Sequence, residues 1–277
     1  MKRRVWMMFG AVALMLLCSA AAWGGASLDV FNGEKGEIRI AGGTAHIPVM
    51  KEAAARIMGR NPDIRISIAG GGSGVGIKQV GEGLVDIGNS GRKPTDKEID
   101  QYDLVLCKWA LDGVGIIVNP ANTVRSLSPD QVRGIFAGTV TNWSEVGGKD
   151  GRINLYTRDE SSGTREVFWE KGLKKGDVAG SANVVVSNGA MKAAISQDPH
   201  GVGYVSVGHI DQSVAAVAFD GVAPTMTSVK DGSYAIARGL FSNTKGQPAG
   251  LVKKFLDYLL GEEGQAIVAE NGFVPVK

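Results

Sequence analysis

The chain has 277 residues, with 30 Lys and Arg against 28 Asp and Glu, 44% hydrophobic residues, 6% aromatic residues and 40 glycines. That apolar content excludes a disordered chain, and glycines without a three-residue period exclude a collagen-like one. Lys2, Arg3 and Arg4 lie in the first 26 residues with no acid beside them, so the remainder carries 27 basic and 28 acidic groups and lacks the basic stripe of a nucleic-acid binder.

Residues 1–26 read as a secretory signal peptide: a basic start, an apolar run from Val5 to Ala22, and small residues at its end. Ala20-x-Ala22 and Gly24-x-Ala26 are candidate cleavage points. The apolar core is short for a spanning helix, which needs ~20 residues. Leu16 and Leu17 precede Cys18 where a lipoprotein would have small residues, so Cys18 is read as part of the removed segment. Cys107 is then the only cysteine of the exported part, which rules out an internal disulfide and leaves stability to the core. A soluble protein outside the cytoplasm, in the periplasm, is expected.

Ile38 and Ile40 begin a short strand that stops at Ala41-Gly42-Gly43, and Met50, Ala53, Ala54, Ile57 and Met58 then fall on one helical face before Asn61-Pro62. Ile64, Ile66 and Ile68 alternate as a second strand that runs into Gly70-Gly71-Gly72, followed by Ile77, Val80 and Leu84 at helical spacing. A third strand is predicted over 84–88, and Thr95 with Glu98 has capping-box spacing for another helix. Residues 116–118 predict a strand stopped by Asn119-Pro120, and Ser128-Pro129 with Gln131 opens a helix carrying Val132, Ile135 and Phe136. Strands at 153–157, 184–186 and 202–207, a helix through Val167 and Phe168, and another near 190–195 continue the alternation. Leu251, Val252, Phe255, Leu256 and Leu259 make a last apolar stripe. Such alternation predicts an α/β protein with mostly parallel sheets.

In a parallel sheet, ligands sit beyond the carboxyl ends of the strands, where the following helices present unpaired N–H groups. Three turns at that position combine glycine with a hydroxyl: Gly42-Gly43-Thr44-Ala45, Gly71-Gly72-Ser73-Gly74 and Ser161-Ser162-Gly163-Thr164. Glycine lets the backbone approach an anion, the hydroxyls donate, and Arg158 adds a planar fork suited to two oxygens of a tetrahedral oxyanion. The set is rich in donors and poor in bases. Positions 71–75 lack the second spaced glycine of a nucleophile elbow, and Ile77-Lys78-Gln79 stands where a Walker loop needs Lys then Ser or Thr. His46, His200 and His209 lack metal-ligand spacing and are expected at the surface or in turns. No catalytic residue, metal or cofactor is predicted.

These features together resemble the periplasmic phosphate-binding protein family of ABC phosphate-uptake systems. The resemblance is carried by AGGTAHIP at 41–48, GGGSGVGIKQV at 70–80, VDIGNS at 85–90, NWSEVGGKDG at 142–151, RDESSGT at 158–164 and GVGYVSVGHI at 201–210. It implies a type II periplasmic-binding-protein fold: two α/β lobes, residues 27–117 with 234–277 and residues 118–233, joined by a two-segment hinge at 113–118 and 234–240. It implies contacts to inorganic phosphate from the hydroxyls and N–H groups of Thr44 and Ser73, the N–H of Ala45, the guanidinium of Arg158, and Ser162, Gly163 and Thr164. It further implies a monomeric, non-enzymatic binding protein whose partner is a membrane permease with its ATPase.

One position departs from the pattern. Where phosphate-specific members place an aspartate after the VDIG strand, this chain has Ser90-Gly91-Arg92. Ser90, Glu160 or a backbone carbonyl is left to accept a P–OH proton, with Ser90 the candidate carried into the site. Sulfate or another tetrahedral oxyanion is therefore an alternative ligand. An exported phosphate-ester hydrolase and a phosphate sensor are the alternatives from other functional classes.

Overall fold

Residues 27–276 are described by a computed structural model, and the predicted signal peptide with Cys18 lies outside the described residues. The strands are β1 (Gly36–Gly42), β2 (Ile64–Gly71), β3 (Ile87–Ser90), β4 (Leu104–Val118), β5 (Ser126–Leu127), β6 (Asn154–Arg158), β7 (Asn183–Val185), β8 (Gly201–Ser206), β9 (Ala215–Phe219), β10 (Ala237–Lys245) and β11 (Val274–Pro275). The helices are α1 (Ile47–Arg60), α2 (Ser73–Gly81), α3 (Asp96–Tyr102), α4 (Pro129–Ala137), α5 (Gly163–Val167), α6 (Asn188–Gln197), α7 (Met226–Lys230), α8 (Gly250–Leu260) and α9 (Glu262–Glu270).

Local chemistry sets the helix starts. Thr95 and Glu98 close a reciprocal capping box on α3, and Ser128 with Gln131 does the same on α4, where Pro129 takes the first position that needs no N–H partner. Met50, Ala53, Ala54 and Ile57 form the buried face of α1. That face joins Ile38, Ile40, Trp109, Phe255, Leu259 and Phe273 in one hydrophobic core. A second core gathers Ile116, Phe136, Trp143, Phe168, Tyr204 and Val217. In it Phe168 stacks on Tyr204 at 4.2 Å, and Phe136 meets Phe168 edge-on at 4.8 Å. Burying an aromatic or branched side chain of this kind contributes about 1.5–3 kcal/mol.

The strand order β2-β1-β3-β10-β4-β8-β6-β7 runs from one lobe to the other. β4 makes the passage: residues from Leu104 to Gly113 pair with β10, whereas Val114 to Val118 pair with β8, and Ile116 to Val118 also with β9. The chain returns beside it through Tyr234 and Ile236 into β10. Both lobes have parallel pairs, β1 with β2 and β3, and β6 with β7 and β8. Every pairing of β4 is antiparallel, and so is β10 with β3. The mostly parallel sheet expected from the alternation is therefore a mixed one, because one strand leaves the first lobe and its neighbour comes back.

Two boundaries also differ. The strand expected at 84–88 is β3, beginning at Ile87. Gly83 turns the chain at a φ of 73°, and the Asp86 carboxylate accepts the Arg39 N–H at 2.8 Å, so the ladder starts only after it. The strand expected at 116–118 is the end of the 15-residue β4.

Candidate anion-binding site

Each glycine-hydroxyl turn follows a strand and opens a helix. β1 ends at Gly42 before the 3-10 turn Thr44–His46 and α1, β2 ends at Gly71 before α2, and β6 ends at Arg158 before α5. The third turn is positioned from behind by Tyr204, whose phenol oxygen accepts the Arg158 N–H at 3.1 Å and lies 2.9 Å from Thr157 Oγ1. The three turns converge on one small cavity whose lining includes Thr44, Ala45, Ser73, Arg158, Ser162, Gly163 and Thr164. All seven are buried, and no carboxylate lines the cavity.

The first lobe meets the second directly around this cavity. Gly74 N–H donates to the Ser161 carbonyl at 3.0 Å, and Ser161 Oγ donates to the Gly71 carbonyl at 2.8 Å. At the rim, Arg92 Nε lies 2.7 Å from Glu166 Oε2 while its other nitrogens hold Glu98. Gly163 sits so close to the opposite lobe that a Cβ there would lie 2.1 Å from Ser73 Oγ. The structure is thus the closed form, with both lobes contributing walls.

The hydrogen-bond directions in the wall are uniform. Thr44 Oγ1 accepts from the N–H and Nδ2 of Asn188 at 3.2 and 3.0 Å. Ser73 Oγ accepts from Gly91 N–H at 2.9 Å, Ser162 Oγ from Arg165 N–H at 3.2 Å, and Thr164 Oγ1 from Arg238 Nη1 at 3.0 Å. A hydroxyl has one hydrogen and two lone pairs, so an oxygen that accepts from the protein keeps its hydrogen to donate. All four hydroxyls therefore have a hydrogen left to donate.

Arg158 is 2% exposed. Its Nε and Nη2 donate to the carbonyls of Val185 and Val186 at 3.0 and 3.1 Å, which fixes the fork and leaves Nη1 without a protein partner. Burial pulls the guanidinium pKa down, opposed by Asp159, whose carboxylate is 4.0 Å away. A buried cation with an unspent N–H is suited to an anion.

Ser90 and Glu160 lie outside the cavity lining, and two of the histidines sit in turns, as expected, but with ring nitrogens buried. Ser90 is fully buried outside the cavity lining, and its hydroxyl accepts from Asn243 Nδ2 at 2.9 Å. β3 is buried at every position, and the Ser90 hydroxyl is turned to β10 beside it. Glu160 is exposed and does not line the cavity. His46 is fully buried with its ring edge-on to Trp109 at 5.5 Å; burial, aided by Arg238, brings its pKa down to about 3. His209 has a buried Nε2, and burial with Lys192 nearby brings it to about 4. Both are neutral at physiological pH, whereas His200 is exposed as expected.

The sequence reading missed Arg238, which lines the same cavity from β10. Its signal is a lone charge in the apolar run Tyr234-Ala235-Ile236-Ala237-Arg238, matched by a lone opposite charge, Asp112, in β4. The two are cross-strand partners, with Nε and Nη2 each 2.8 Å from Asp112 Oδ2.

A family model described as the PBP superfamily domain matches residues 31–263. The phosphate-binding protein PstS of Bacillus subtilis is 38% identical over 285 residues, covering 99% of this chain and 95% of that protein. The chain belongs to the phosphate-binding protein family of the PBP superfamily. A protein from Clostridium perfringens assigned to phosphate ABC transport, solved with bound phosphate, superposes with a TM-score of 0.82 at 33% identity, over 87% of this chain and 100% of that one. An ABC-type phosphate transport receptor from Vibrio cholerae gives a TM-score of 0.70 at 33% identity, over 86% and 99% of the two chains. The two-lobed α/β fold expected from the family's motifs is the fold found here.

Proposed function

We propose that this protein captures inorganic phosphate outside the cytoplasm and delivers it to the permease of an ABC importer, with no chemistry of its own. The observation that carries this reading is the closed cavity whose four hydroxyls all keep a hydrogen to donate, beside the unspent Nη1 of Arg158. The names of its relatives supply the ion. The contacts would come from Thr44, Ala45, Ser73, Arg158, Ser162, Gly163 and Thr164, without Ser90. Export by residues 1–26 and a monomeric state belong to the same reading.

Capture would proceed by closure. Residues 27–117 with 234–277 would form one lobe and 118–233 the other, turning about 113–118 and 234–240. An ion bound by groups of both lobes favours the closed state by the difference in its affinity for the two. Addition of phosphate should therefore shrink the radius of gyration in small-angle scattering. Proven binding with an unchanged radius would count against closure.

The lack of a carboxylate in the lining favours a second reading, in which sulfate or another tetrahedral oxyanion is the ligand. Phosphate oxygens are the more basic and accept stronger hydrogen bonds from a donor set of this kind. Calorimetric titration of residues 27–277 should show tight phosphate binding that excess sulfate does not displace at neutral pH, and no turnover of a generic phosphate ester. Sulfate competing at a comparable concentration would replace the ion and keep the oxyanion site.

A further inference from the structure

Arg238 occupies the place where a side chain at position 91 would stand. A Cβ on Gly91 would lie 2.7 Å from Arg238 Nη1 and 3.0 Å from Cζ, so a side chain at 91 and the guanidinium in its present position exclude each other. Arg238 Nη1 donates to the Gly91 carbonyl at 3.2 Å and to Thr164 Oγ1 at 3.0 Å. Nε donates to Asp112 Oδ2 at 2.8 Å. Nη2 is near that same oxygen but is buried without a hydrogen bond, in a side chain that lines the cavity. A guanidinium thus stands at this corner of the site in place of any side chain at 91.

We propose that Arg238 is a specificity-determining residue that makes the site take phosphate as its dianion. The inference rests on the phosphate reading above. The wall offers the hydrogens of four hydroxyls and the unspent Nη1 of Arg158, with the Arg238 cation beside them and no carboxylate to receive a proton. Each proton on phosphate removes a negative charge facing Arg158 and Arg238 and turns an acceptor oxygen into a donor. The single P–OH of the dianion can use the second lone pair of Ser73, Ser162 or Thr164; the monoanion has two to place and one fewer bare oxygen to receive donors.

The charged and titratable groups around Arg238 are Asp112 on β4, Arg158 on β6, His46 in the turn before α1 and His209 in the turn after β8. The two histidines are already neutral in the closed form above about pH 5.

The test is calorimetric titration with inorganic phosphate between about pH 5.5 and about pH 8.5, in paired buffers of different ionisation enthalpy. If only the dianion binds, the apparent Kd follows the dianion fraction and weakens about tenfold per pH unit below phosphate's second ionisation. Binding then releases about one proton per phosphate at the acid end and none at the alkaline end. His209→Gln should leave this profile in place, which separates ligand ionisation from a histidine that titrates on opening. The double variant Arg238→Gln with Asp112→Asn keeps the net charge and strands no buried ion; it should bind more weakly, with a shallower pH slope and less proton release. Arg238→Lys should keep the slope at reduced affinity. A wild-type Kd that is flat across the range, or a double variant with the wild-type slope, overturns the inference while leaving phosphate capture intact. Failure of the wild type to bind phosphate at any pH overturns the functional reading itself.

Discussion

Replacing Arg158 by alanine is expected to weaken phosphate binding by about two to four orders of magnitude, the equivalent of about 3–5 kcal/mol for removing a buried, hydrogen-bonded charge. The guanidinium cannot swing aside to avoid the ion, since the carbonyls of Val185 and Val186 hold two of its nitrogens and leave the third free. Ser73→Ala removes one neutral donor and should cost only ~1 kcal/mol, less than a tenfold loss. Calorimetry on both variants gives the comparison, with thermal melts to confirm that each is folded. Equal losses would mean that Arg158 serves to anchor β7 and that the ion is held elsewhere. Arg158→Lys separates charge from shape: it retains the cation but not the fork that reaches two carbonyls and a ligand at once.

A second large effect is expected from one methyl group. In Gly163→Ala the added Cβ would lie 2.1 Å from Ser73 Oγ and 2.9 Å from Ser73 Cβ, on the other side of the cavity. Rotating Ser73 Oγ aside still leaves the clash with Ser73 Cβ, so the closed state is disfavoured and the apparent affinity should fall by about a hundredfold as its population drops. The lobe that carries the substitution is not harmed, because alanine is the better helix former by about 1 kcal/mol. The expected signature is therefore lost binding with unimpaired thermal stability, and no phosphate-induced compaction in scattering. Adding Ser73→Gly removes the obstructing side chain and should restore closure, though not full affinity. Wild-type binding by Gly163→Ala alone would show that the lobes do not approach this closely in solution.

The parts of this molecule that were legible in the sequence are the ones where chemistry and chain position coincide. A glycine-hydroxyl turn after a strand announces both its backbone geometry and its donors, so Thr44, Ser73 and Ser162 to Thr164 could be named and are found around one cavity. Capping boxes on α3 and α4 were equally plain, because the partners lie three residues apart. Arg238 and Asp112 were not, since their meaning comes from pairing across β4 and β10, 126 residues apart in the chain. Asp112 and Gly113 interrupt the apolar run of β4, which hid its first half and with it the antiparallel centre of the sheet. The burial of His46 escaped for a related reason: it ends a 3-10 turn and caps α1, where no periodicity says which way a side chain points.

The origin of the partners that occupy the hydroxyl lone pairs bears on how the ion would be let go. Thr44 precedes α1 in the first lobe, yet its lone pairs are filled by Asn188, at the start of α6 in the second. Thr164 belongs to the second lobe, and its partner Arg238 sits on the strand that returns to the first. Recognition is therefore assembled by the act of closing, like a lock whose pins are carried on the door and the frame. Once the lobes part, these two hydroxyls lose their orienting donors and rotate as freely as any surface hydroxyl. A force that pries the halves apart dismantles the site and needs no competing affinity for the ion. Retention and discharge then become the same coordinate travelled in opposite directions.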